Sequence, residues 1–400
     1  MHVFLVADGR SPITRRWINS LLAADVRVSL CSTFACAPVE GIAGLHILPI
    51  AFSGLAGSQS ANVQPSSAPR RSLVSRFRPL LLSARYWLGP LSLKMQVKAY
   101  RKLLAAAQPD LVHALRIPFE GMLAASTPPE LPLAVSIWGN DLTLHARGSR
   151  EMAAATRRAL QRADALVADA ARDLRLAANW GFDPHKPELL VPGSGGIDLA
   201  EIQSLRDRPR TSNLAVPAGV PLVVNPRGFR PGSLRNDVFF QSIPLVLERQ
   251  PNVHFVCPSM AGQPEALEWI ERLKIAPAVH LLPTLPQAQL WELFLRSDVF
   301  ISPSAHDGTP NSLLEAMACG CLPVVGDIES MREWITPGIN GLLVDSNQAQ
   351  SLAEAVLLGL ENAALRASAA GQNYQIIADR ADVHRVRLQV VEFYQSLLRA

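Results

Sequence analysis

The segment 301-ISPSAHDGTPNSLLEAMACGCLPVV-325 contains the signals of a strand, a loop, a helix and a second strand. Apolar and β-branched residues over 298–304 predict a buried strand. Gly308 and Pro310 then interrupt regular structure, and Gly320 ends the helical pattern that follows. A strand followed by a loop and a helix is the repeating unit of a parallel α/β sheet. The segment therefore predicts a Rossmann-like domain around it.

Two carboxylates flank the start of this helix. Asp307 lies in the loop, and we expect Glu315 in the first turn, with its side chain leaning toward the helix N-terminus. Unpaired N–H groups and the helix dipole bind anions, so the diphosphate of a nucleotide sugar could be held there. Asn311 or Ser312 can cap the helix, and a capping box between Ser312 and Glu315 is the structural alternative. On the residues alone, both interpretations of Glu315 stay open.

Strand signals recur along the whole chain and alternate with helical patterns. In the N-terminal half they fall at 2–7, 26–32, 45–50, 110–115, 132–138 and 165–170. In the C-terminal half they fall at 221–229, 253–259, 279–283, 298–304, 322–326 and 341–345. Such alternation favours mostly parallel sheets covered by helices. We therefore predict an α/β protein with two Rossmann-like domains that face each other across a cleft.

The length and composition agree with two domains. Four hundred residues exceed what one hydrophobic core usually organises. We expect an N-terminal domain over 1–205 and a C-terminal domain over 215–380. The stretch that begins at 54 is rich in Gly, Ser and Pro, which predicts a mobile basic excursion over about 54–104.

Several classes of protein are disfavoured. The chain has neither a G-x-G-x-x-G fingerprint in the required context nor a P-loop, which argues against dinucleotide oxidation-reduction and P-loop ATP hydrolysis. Five cysteines without disulfide spacing indicate reduced thiols, and the pair Cys319 and Cys321 lacks the second pair that a zinc site needs. No secretory signal and no long apolar run is present, so we expect a cytoplasmic protein.

The charge is unevenly distributed, although the net charge is only +4. No acidic residue occurs between Glu40 and Asp110, and apolar and aromatic residues are interleaved with bases over 73–104. This composition is typical of a surface that docks on anionic lipid. We expect the contact to use four arginines, Arg70, Arg71, Arg76 and Arg78. A helix with a solvated basic face is the alternative, and no nucleic-acid module accompanies the charge.

The segment 301–325 resembles the C-terminal signature of glycosyltransferase family 4, E-G-x-P/G-x-x-x-L-E-A-M-A-x-G-x-P-V-V, in which seven residues separate two Glu residues. The matching acids here are Asp307 and Glu315, with the same seven residues between them, and the first is Asp where the family has Glu. The resemblance implies the GT-B fold, an Asp307 near the transferred sugar and a Glu315 that holds the donor ribose. It also implies donor contacts from Gly308 and from the N–H groups of the helix start, at Asn311, Ser312 and Leu313.

Other parts of the chain resemble the same family. Arg227 and Arg235 match the Arg and Lys of its G-R-x-x-x-x-K-G segment, which implies that both stabilise the diphosphate as it leaves. Gly9 matches a glycine that lets donor and acceptor approach the first loop. Asp198 matches the acid of a G-[VI]-D motif, with a helix cap as the alternative. In relatives the last helix, here 381–400, packs back on the N-terminal domain.

One position departs from the family in the N-terminal half. Many relatives have His-Gly-x-Asp where this chain has Trp138 in place of the His, and Asp141 is retained. We expect Trp138 and Asp141 to contact the sugar or the acceptor, with His113 or His145 as a substitute for the missing His. Lone histidines are more often structural, so that alternative stays open.

The resemblance implies a retaining, hexosyltransferase-like enzyme that moves a sugar from a nucleotide-diphosphate sugar. The acceptor is expected to be a saccharide or glycolipid of bacterial cell-surface synthesis, at the inner face of the membrane. No D-x-D motif is present, so we expect neither a metal nor a cofactor. The alternatives are a non-catalytic nucleotide-sugar-binding protein and a nucleotide-sugar epimerase on the same scaffold.

Overall fold

The computed structural model describes residues 1–51, 78–208, 216–217, 219–230 and 232–399, with side chains from residue 85 onward in the helix that follows the first gap. The chain divides into two compact units. The N-terminal unit comprises 1–195 and 386–400, and the C-terminal unit comprises 196–385. The four arginines expected at a membrane begin at Arg70, and Arg70, Arg71 and Arg76 lie outside the described residues.

The N-terminal unit is built on a parallel sheet whose strand order is β3-β2-β1-β4-β5-β6-β7. Its strands are β1 (His2–Ala7), β2 (Arg27–Ser32), β3 (Gly44–Ile47), β4 (Leu111–Ala114), β5 (Leu133–Ile137), β6 (Ala165–Ala168) and β7 (Glu188–Leu190). Its first helices are α1 (Pro12–Leu22), α2 (Arg78–Ala107), α3 (Met122–Ala124), α4 (Arg150–Arg162) and α5 (Ala171–Asn179). A turn over Ile117–Gly121, extended at Pro118 and left-handed at Phe119, follows β4, and a single π-helical turn, Asp141–His145, follows β5. The central strands are completely buried, as expected of a sheet covered on both faces.

The C-terminal unit repeats this plan with the parallel order β10-β9-β8-β11-β12-β13. Its strands are β8 (Leu222–Val224), β9 (His254–Cys257), β10 (Val279–Leu281), β11 (Val299–Ser302), β12 (Leu322–Gly326) and β13 (Leu342–Val344). A 3₁₀ turn covers Ala276–Ala278. The helices are α6 (Leu199–Asp207), α7 (Asn236–Leu247), α8 (Pro264–Leu273), α9 (Gln287–Phe294), α10 (Asn311–Cys319), α11 (Glu329–Arg332), α12 (Ala349–Glu361) and α13 (Ala363–Arg380). The prediction of two Rossmann-like α/β domains is confirmed.

The last helix, α14 (Val383–Leu397), returns to the N-terminal unit. Its buried face joins the apolar core around β1 and α1 through Val386, Val390, Phe393, Tyr394 and Leu397. Tyr394 also accepts a hydrogen bond from the Trp17 indole at 3.2 Å. The expected packing of the C-terminal helix on the N-terminal domain is therefore confirmed.

The division between the units lies earlier than the expected boundary at 205–215. Leu199 and Ile202 of α6 belong to the apolar core of the C-terminal unit, so this helix groups with the sequence after it. The chain leaves the C-terminal unit after Arg385 rather than at 380.

The predicted mobile excursion over 54–104 differs from the structure in its second half. Residues 78–107 form α2, a helix that continues through Pro90. Leu93, Tyr100 and Leu104 of this helix are buried in the core beside β4, which holds the helix on the sheet. Among the described residues, no helix is both long enough and apolar enough to cross a membrane.

Candidate functional site

An arginine and an aspartate from neighbouring strands form a buried ion pair in the C-terminal unit. Arg227 follows β8 and Asp307 follows β11, and these strands are parallel neighbours whose carboxyl ends meet at one sheet edge. The Arg227 Nη1 donates to Asp307 Oδ2. Their side chains are 7% and 14% exposed, so the pair is largely shielded from water. Two of the three residues that the sequence singled out as catalytic are thus brought together.

Two serines extend this pair into a small network. Arg227 Nη1 also lies 3.3 Å from Ser302 Oγ and 3.4 Å from Ser304 Oγ. Ser304 Oγ donates to Asp307 Oδ2 at 3.3 Å and lies 3.0 Å from Ser302 Oγ. Sequence analysis did not single out these serines, although their place at the carboxyl end of a buried strand is a usable signal. The network fixes the direction of the Arg227 guanidinium.

The loop that carries Asp307 is held by two further contacts. Ser330 Oγ donates to the Asp307 carbonyl at 2.8 Å, and Trp334 Nε1 donates to Thr309 Oγ1 at 2.9 Å. Gly308 is buried between these two anchor points. These contacts therefore hold the loop before α10 in one defined conformation.

The start of α10 differs from the prediction. Pro310 occupies the N-cap position without a side-chain cap, so neither Asn311 nor Ser312 caps the helix. Glu315 is the fifth helical residue rather than part of the first turn, and it is buried. The capping box would require Ser312 at the N-cap, so this alternative is wrong.

The first turn of α10 retains donors and an acceptor for a ligand. The Leu313 N–H bonds to the Pro310 carbonyl at 2.9 Å. Helix geometry leaves the N–H groups of Asn311 and Ser312 without an acceptor in their own helix. The Asn311 Oδ1 atom is buried and has no hydrogen-bond partner among the described residues. The helix start is thus polar, positive in its dipole and close in sequence to Asp307.

The structure does not bring Arg235 together with Arg227. The Arg235 guanidinium forms a bidentate pair with Asp237, at 2.9 and 2.7 Å, and also donates to Asn347 Oδ1. Only its backbone approaches the Asp307 loop, through a bond from its N–H to the Pro303 carbonyl at 3.0 Å. The convergence of Arg227 and Arg235, which the sequence match implied, is absent here because Asp237 holds the second guanidinium.

Arg230 lies near the ion pair instead. Its Nε donates to the Arg227 carbonyl at 3.3 Å. Desolvation and the Arg227 guanidinium lower the pKa of Arg230, and Asp307 opposes that shift.

Gly9, in the N-terminal unit, is required by its protein neighbours. A Cβ at this position would lie 2.5 Å from Cys36 Sγ and 2.8 Å from Ser32 Oγ. The Gly9 N–H donates to Ser32 Oγ at 3.0 Å. The glycine therefore allows the loop after β1 to pack on the loop after β2, and the expected donor contact stays a prediction.

Asp141 is a structural anchor rather than an exposed ligand contact. Its side chain is fully buried and accepts hydrogen bonds from Arg116, from the Ile117 N–H and from the Trp138 N–H, at 2.9 to 3.1 Å. The carboxylate thereby ties together the loops after β4 and β5. Because no surface of the side chain is exposed, the expected sugar contact of Asp141 is not available in this arrangement. Trp138 is partly exposed and lines a cavity.

His113 occupies the core of the N-terminal unit. It is completely buried, its Nδ1 lies 2.6 Å from the Tyr394 hydroxyl and its Nε2 lies 2.9 Å from Ser136 Oγ. Both ring nitrogens are thus occupied, which is the structural alternative that the sequence left open. Burial lowers the pKa of His113 from 6.5 to about 3, so the ring is neutral near pH 7.

We expect His113 to make the protein less stable in acid. Because its pKa is lower in the folded chain, the unfolded chain binds a proton below pH 6.5 that the folded chain does not bind until about pH 3. The free energy of unfolding should therefore fall by roughly 2–3 kcal/mol between pH 6.5 and 4.5 from this residue. Urea titrations of His113→Gln across this range should show a smaller fall than wild type. Equal slopes would contradict the assignment, and the exposed His384→Gln serves as control.

Asp198 caps a helix, the alternative weighed for it. Its backbone is extended and its carboxylate accepts a hydrogen bond from the Glu201 N–H at 2.9 Å, at the start of α6.

Cys319 and Cys321 are buried free thiols, and burial raises the pKa of both. Among the described residues, no group of three or more His, Cys, Asp or Glu side chains could hold a metal ion.

Two parallel α/β sheets with a returning C-terminal helix define a GT-B architecture. Residues 9–193 match the family model "Glycosyl transferase 4-like domain", and residues 235–375 match "Glycosyl transferases group 1". Together these matches cover most of the chain. The chain belongs to the group 1 glycosyltransferases of the family 4 type.

Among curated proteins, the chain is 31% identical over 229 residues to a D-inositol 3-phosphate glycosyltransferase of Corynebacterium urealyticum. It is 39% identical over 122 residues to an N,N'-diacetylbacillosaminyl-diphospho-undecaprenol alpha-1,3-N-acetylgalactosaminyltransferase of Campylobacter jejuni. The first match covers 54% of this chain and 53% of the relative, and the second covers 30% and 32%. The matched segments thus span about half of the first relative and a third of the second.

Two solved structures share the fold over nearly the whole chain. A sucrose-phosphate synthase from Thermosynechococcus elongatus superposes with a TM-score of 0.71 at 14% identity, covering 100% of this chain and 99% of the other. The Anabaena protein Alr3699/HepE, solved with UDP-glucose, gives 0.68 at 17% identity and covers 99% of both chains.

Proposed function

We propose that the protein is a retaining glycosyltransferase that moves a hexose-like sugar from a nucleotide-diphosphate sugar to a saccharide or lipid-linked acceptor in cell-surface polysaccharide or glycolipid synthesis. The observation that carries the proposal is the buried Arg227 network beside the start of α10. A cation and free helix N–H groups at one sheet edge are the features that a diphosphate requires. The family membership, and the UDP and UDP-glucose named for the Anabaena relative, support the same donor class.

The donor would be held by the C-terminal unit. Arg227 would neutralise the diphosphate, and the N–H groups of Asn311 and Ser312 would bind its oxygens. By the family resemblance, Glu315 would bind the ribose hydroxyls of the donor. Because Asp307 already binds Arg227, we assign it a positioning role for that guanidinium in the absence of donor.

In the transfer step, the bond between the anomeric carbon and the diphosphate oxygen breaks, and its electron pair leaves with the nucleoside diphosphate. The acceptor oxygen forms the new bond on the same face of the sugar, and its proton passes to the departing diphosphate. Such a reaction needs stabilisation of the leaving group more than it needs a strong base. Arg227 and the helix N-terminus supply this stabilisation without a metal ion.

The outer face of α2 supports a peripheral membrane site at the inner surface of the membrane. Trp87, Leu88, Leu91 and Met95 are exposed, and Met95 is 76% exposed. The same helix carries four exposed bases, namely Lys94, Lys98, Arg101 and Lys102. Apolar side chains beside cations fit the boundary between acyl chains and anionic headgroups. An anionic bilayer is therefore the proposed occupant of this face, and a lipid-linked acceptor would be met there.

Reversing two of these charges should release the protein from anionic membranes. Each lysine near an anionic surface contributes about 1 kcal/mol, so Lys94→Glu/Lys98→Glu should lower partitioning by about 25-fold or more. Sedimentation with vesicles containing phosphatidylglycerol measures this, with phosphatidylcholine vesicles as reference. Arg147→Glu/Arg158→Glu, an equal charge change at exposed positions in the same unit, should bind much as wild type does. Equal binding by both double variants and the parent would contradict the surface.

The function itself is tested by a panel of nucleotide sugars, each incubated with and without a lipid-linked saccharide fraction. Release of nucleoside diphosphate that depends on the acceptor, and that persists with EDTA, is the expected result. Conversion of the donor without acceptor would instead identify an epimerase. Donor binding without any turnover would identify a non-catalytic member, and loss of turnover with EDTA would contradict metal independence.

A further inference from the structure

A cavity of about 360 Å³ lies within the N-terminal unit. It is placed at the carboxyl ends of β1, β4 and β5, where ligands of open α/β sheets bind. Helix α2 closes one side with Arg85 and Tyr86. Sequence analysis named only Trp138 and His145 among its lining residues.

Three arginines of this cavity are stacked on three aromatic rings that also line it. The guanidinium carbons lie 3.6, 4.6 and 5.3 Å from the ring centroids in the pairs Arg10–Phe34, Arg85–Phe119 and Arg116–Trp138. Stacking occupies the face of a guanidinium and leaves its edge of N–H donors for hydrogen bonds. The cavity wall therefore presents three oriented sets of donors.

The edge of one of these arginines is occupied within the protein, and that of a second is occupied in part. Arg10 forms a bidentate pair with Asp8, at 3.0 and 2.9 Å, and Arg116 donates to Asp141 at 2.9 Å. Within the described part of the chain, no hydrogen bond is found for the Arg85 side chain, and its Nε is buried without an acceptor. The Arg116 Nε is buried without an acceptor as well.

The one other carboxylate on the wall does not satisfy Arg85. Glu120 accepts a hydrogen bond from Thr33 Oγ1 at 2.9 Å and interacts with Arg85 only through its charge. Burial raises the pKa of Glu120, which reduces its tendency to carry the charge that would balance Arg85. A buried donor without an acceptor costs free energy, so a bound oxyanion would stabilise this arrangement.

The backbone is strained where it supports Arg85. Phe119 has φ of +67° after an extended Pro118, a conformation that L-residues rarely adopt. A Cβ at Gly89 would lie 2.6 Å from the Phe119 ring, so the helix needs glycine to admit that ring beneath Arg85. Strain of this kind persists where the surrounding structure fixes one side chain in place.

We propose that this cavity binds a phosphate group of the acceptor, with the edges of Arg85 and Arg116 as its donors and Trp138 and Tyr86 beside the attached saccharide. That the phosphate belongs to the acceptor rests on the proposed transferase function, whereas the anion site itself does not depend on that function. Charge-assisted bonds from guanidinium edges match the oxygens of a phosphate monoester or diester.

Calorimetric titration with inorganic phosphate tests the site, at constant ionic strength held by chloride. The protein is Arg227→Met/Asp307→Asn, which removes the other cation proposed to bind phosphate. We expect this protein to bind phosphate, and the further change Arg85→Gln to weaken binding about 10- to 100-fold. Arg85→Lys, which keeps the charge but loses the fork of donors, should fall between them, and the exposed Arg147→Gln should bind as the parent does.

Absence of phosphate binding in the parent, or equal binding with and without Arg85, would overturn the proposal. Circular dichroism and a urea titration of each variant separate a lost site from a lost fold. Titration of the whole nucleotide-sugar panel into Arg85→Gln with Arg227 intact reports on the donor site alone. Its failure would count against the proposed function, whereas failure of phosphate binding would count only against the anion site.

Discussion

Replacing Arg227 by methionine is expected to lower kcat/KM for sugar transfer by about 10²- to 10³-fold, because removal of one preorganised donor to a developing anion has an effect of this size. The guanidinium is 7% exposed and held by Asp307, Ser302 and Ser304. Its interaction with the diphosphate therefore requires little reorganisation in a site that excludes water. Steady-state kinetics on the active donor of the panel measure the change.

Stability needs a separate control in this experiment. Removing Arg227 leaves the Asp307 carboxylate buried without its partner, which costs about 3–5 kcal/mol. The double variant Arg227→Met/Asp307→Asn should recover most of that stability and none of the activity. Arg249→Met, which breaks the exposed pair between Arg249 and Glu361 in the same unit, should change stability by less than about 1 kcal/mol and leave transfer unaltered. Transfer by the double variant near the wild-type rate would show that the donor site lies elsewhere.

Gly326→Ala is expected to destabilise the C-terminal unit by about 3 kcal/mol or more, at the upper end of overpacking effects. A Cβ at this position would lie 2.1 Å from the Ser304 carbonyl oxygen, which is backbone and cannot rotate away. The end of β11 would have to move, and with it the Ser304 hydroxyl that contacts Arg227 and Asp307. Transfer should fall together with the free energy of unfolding measured in urea.

The matched control for this substitution is Gly371→Ala in α13. No atom lies within 4 Å of the Cβ that would be added there. Alanine in the middle of a helix is more favourable than glycine, so this variant should gain about 0.5–1 kcal/mol. A Gly326→Ala protein as stable as the parent would contradict the close approach of β12 to the Asp307 loop.

The sheets, and the place of Arg227 and Asp307 in loops after strands, could be predicted because their signals are local. Each strand is a short apolar run, and Arg227 and Asp307 each lie in the loop after such a run. Parallel strands place their carboxyl ends at one edge, so two residues 80 positions apart in sequence could be expected to meet. The family resemblance added the donor class, which composition and periodicity do not contain.

The remaining features depend on contacts that no local pattern encodes. The choice of Pro310 as N-cap moved Glu315 out of the first turn, because the cap is set by where the preceding loop is anchored rather than by residue preference. Asp237 belongs to α7, so its ion pair with Arg235 forms only when this helix is in place. The role of Asp141 as an anchor requires three donors from two separate loops.

The phosphate cavity, too, depends on contacts between distant parts of the chain. Its arginines and rings come from five places in the chain, and α2 was predicted to belong to a mobile excursion. Tyr100 and Leu104 of α2 are buried in the core of the N-terminal unit, and Arg85 of the same helix lies over the Phe119 ring.

The Arg227 network and the start of α10 are proposed to hold the diphosphate of a sugar donor. Calorimetric titration of the nucleotide-sugar panel into the wild-type protein and into Arg227→Met/Asp307→Asn measures this binding directly. We expect at least one nucleotide sugar to bind wild type with a one-to-one stoichiometry, and the folded double variant to bind it at least 100-fold more weakly, a difference of about 3 kcal/mol. Equal affinity of the two proteins, or no binding of any nucleotide sugar to wild type, would contradict it.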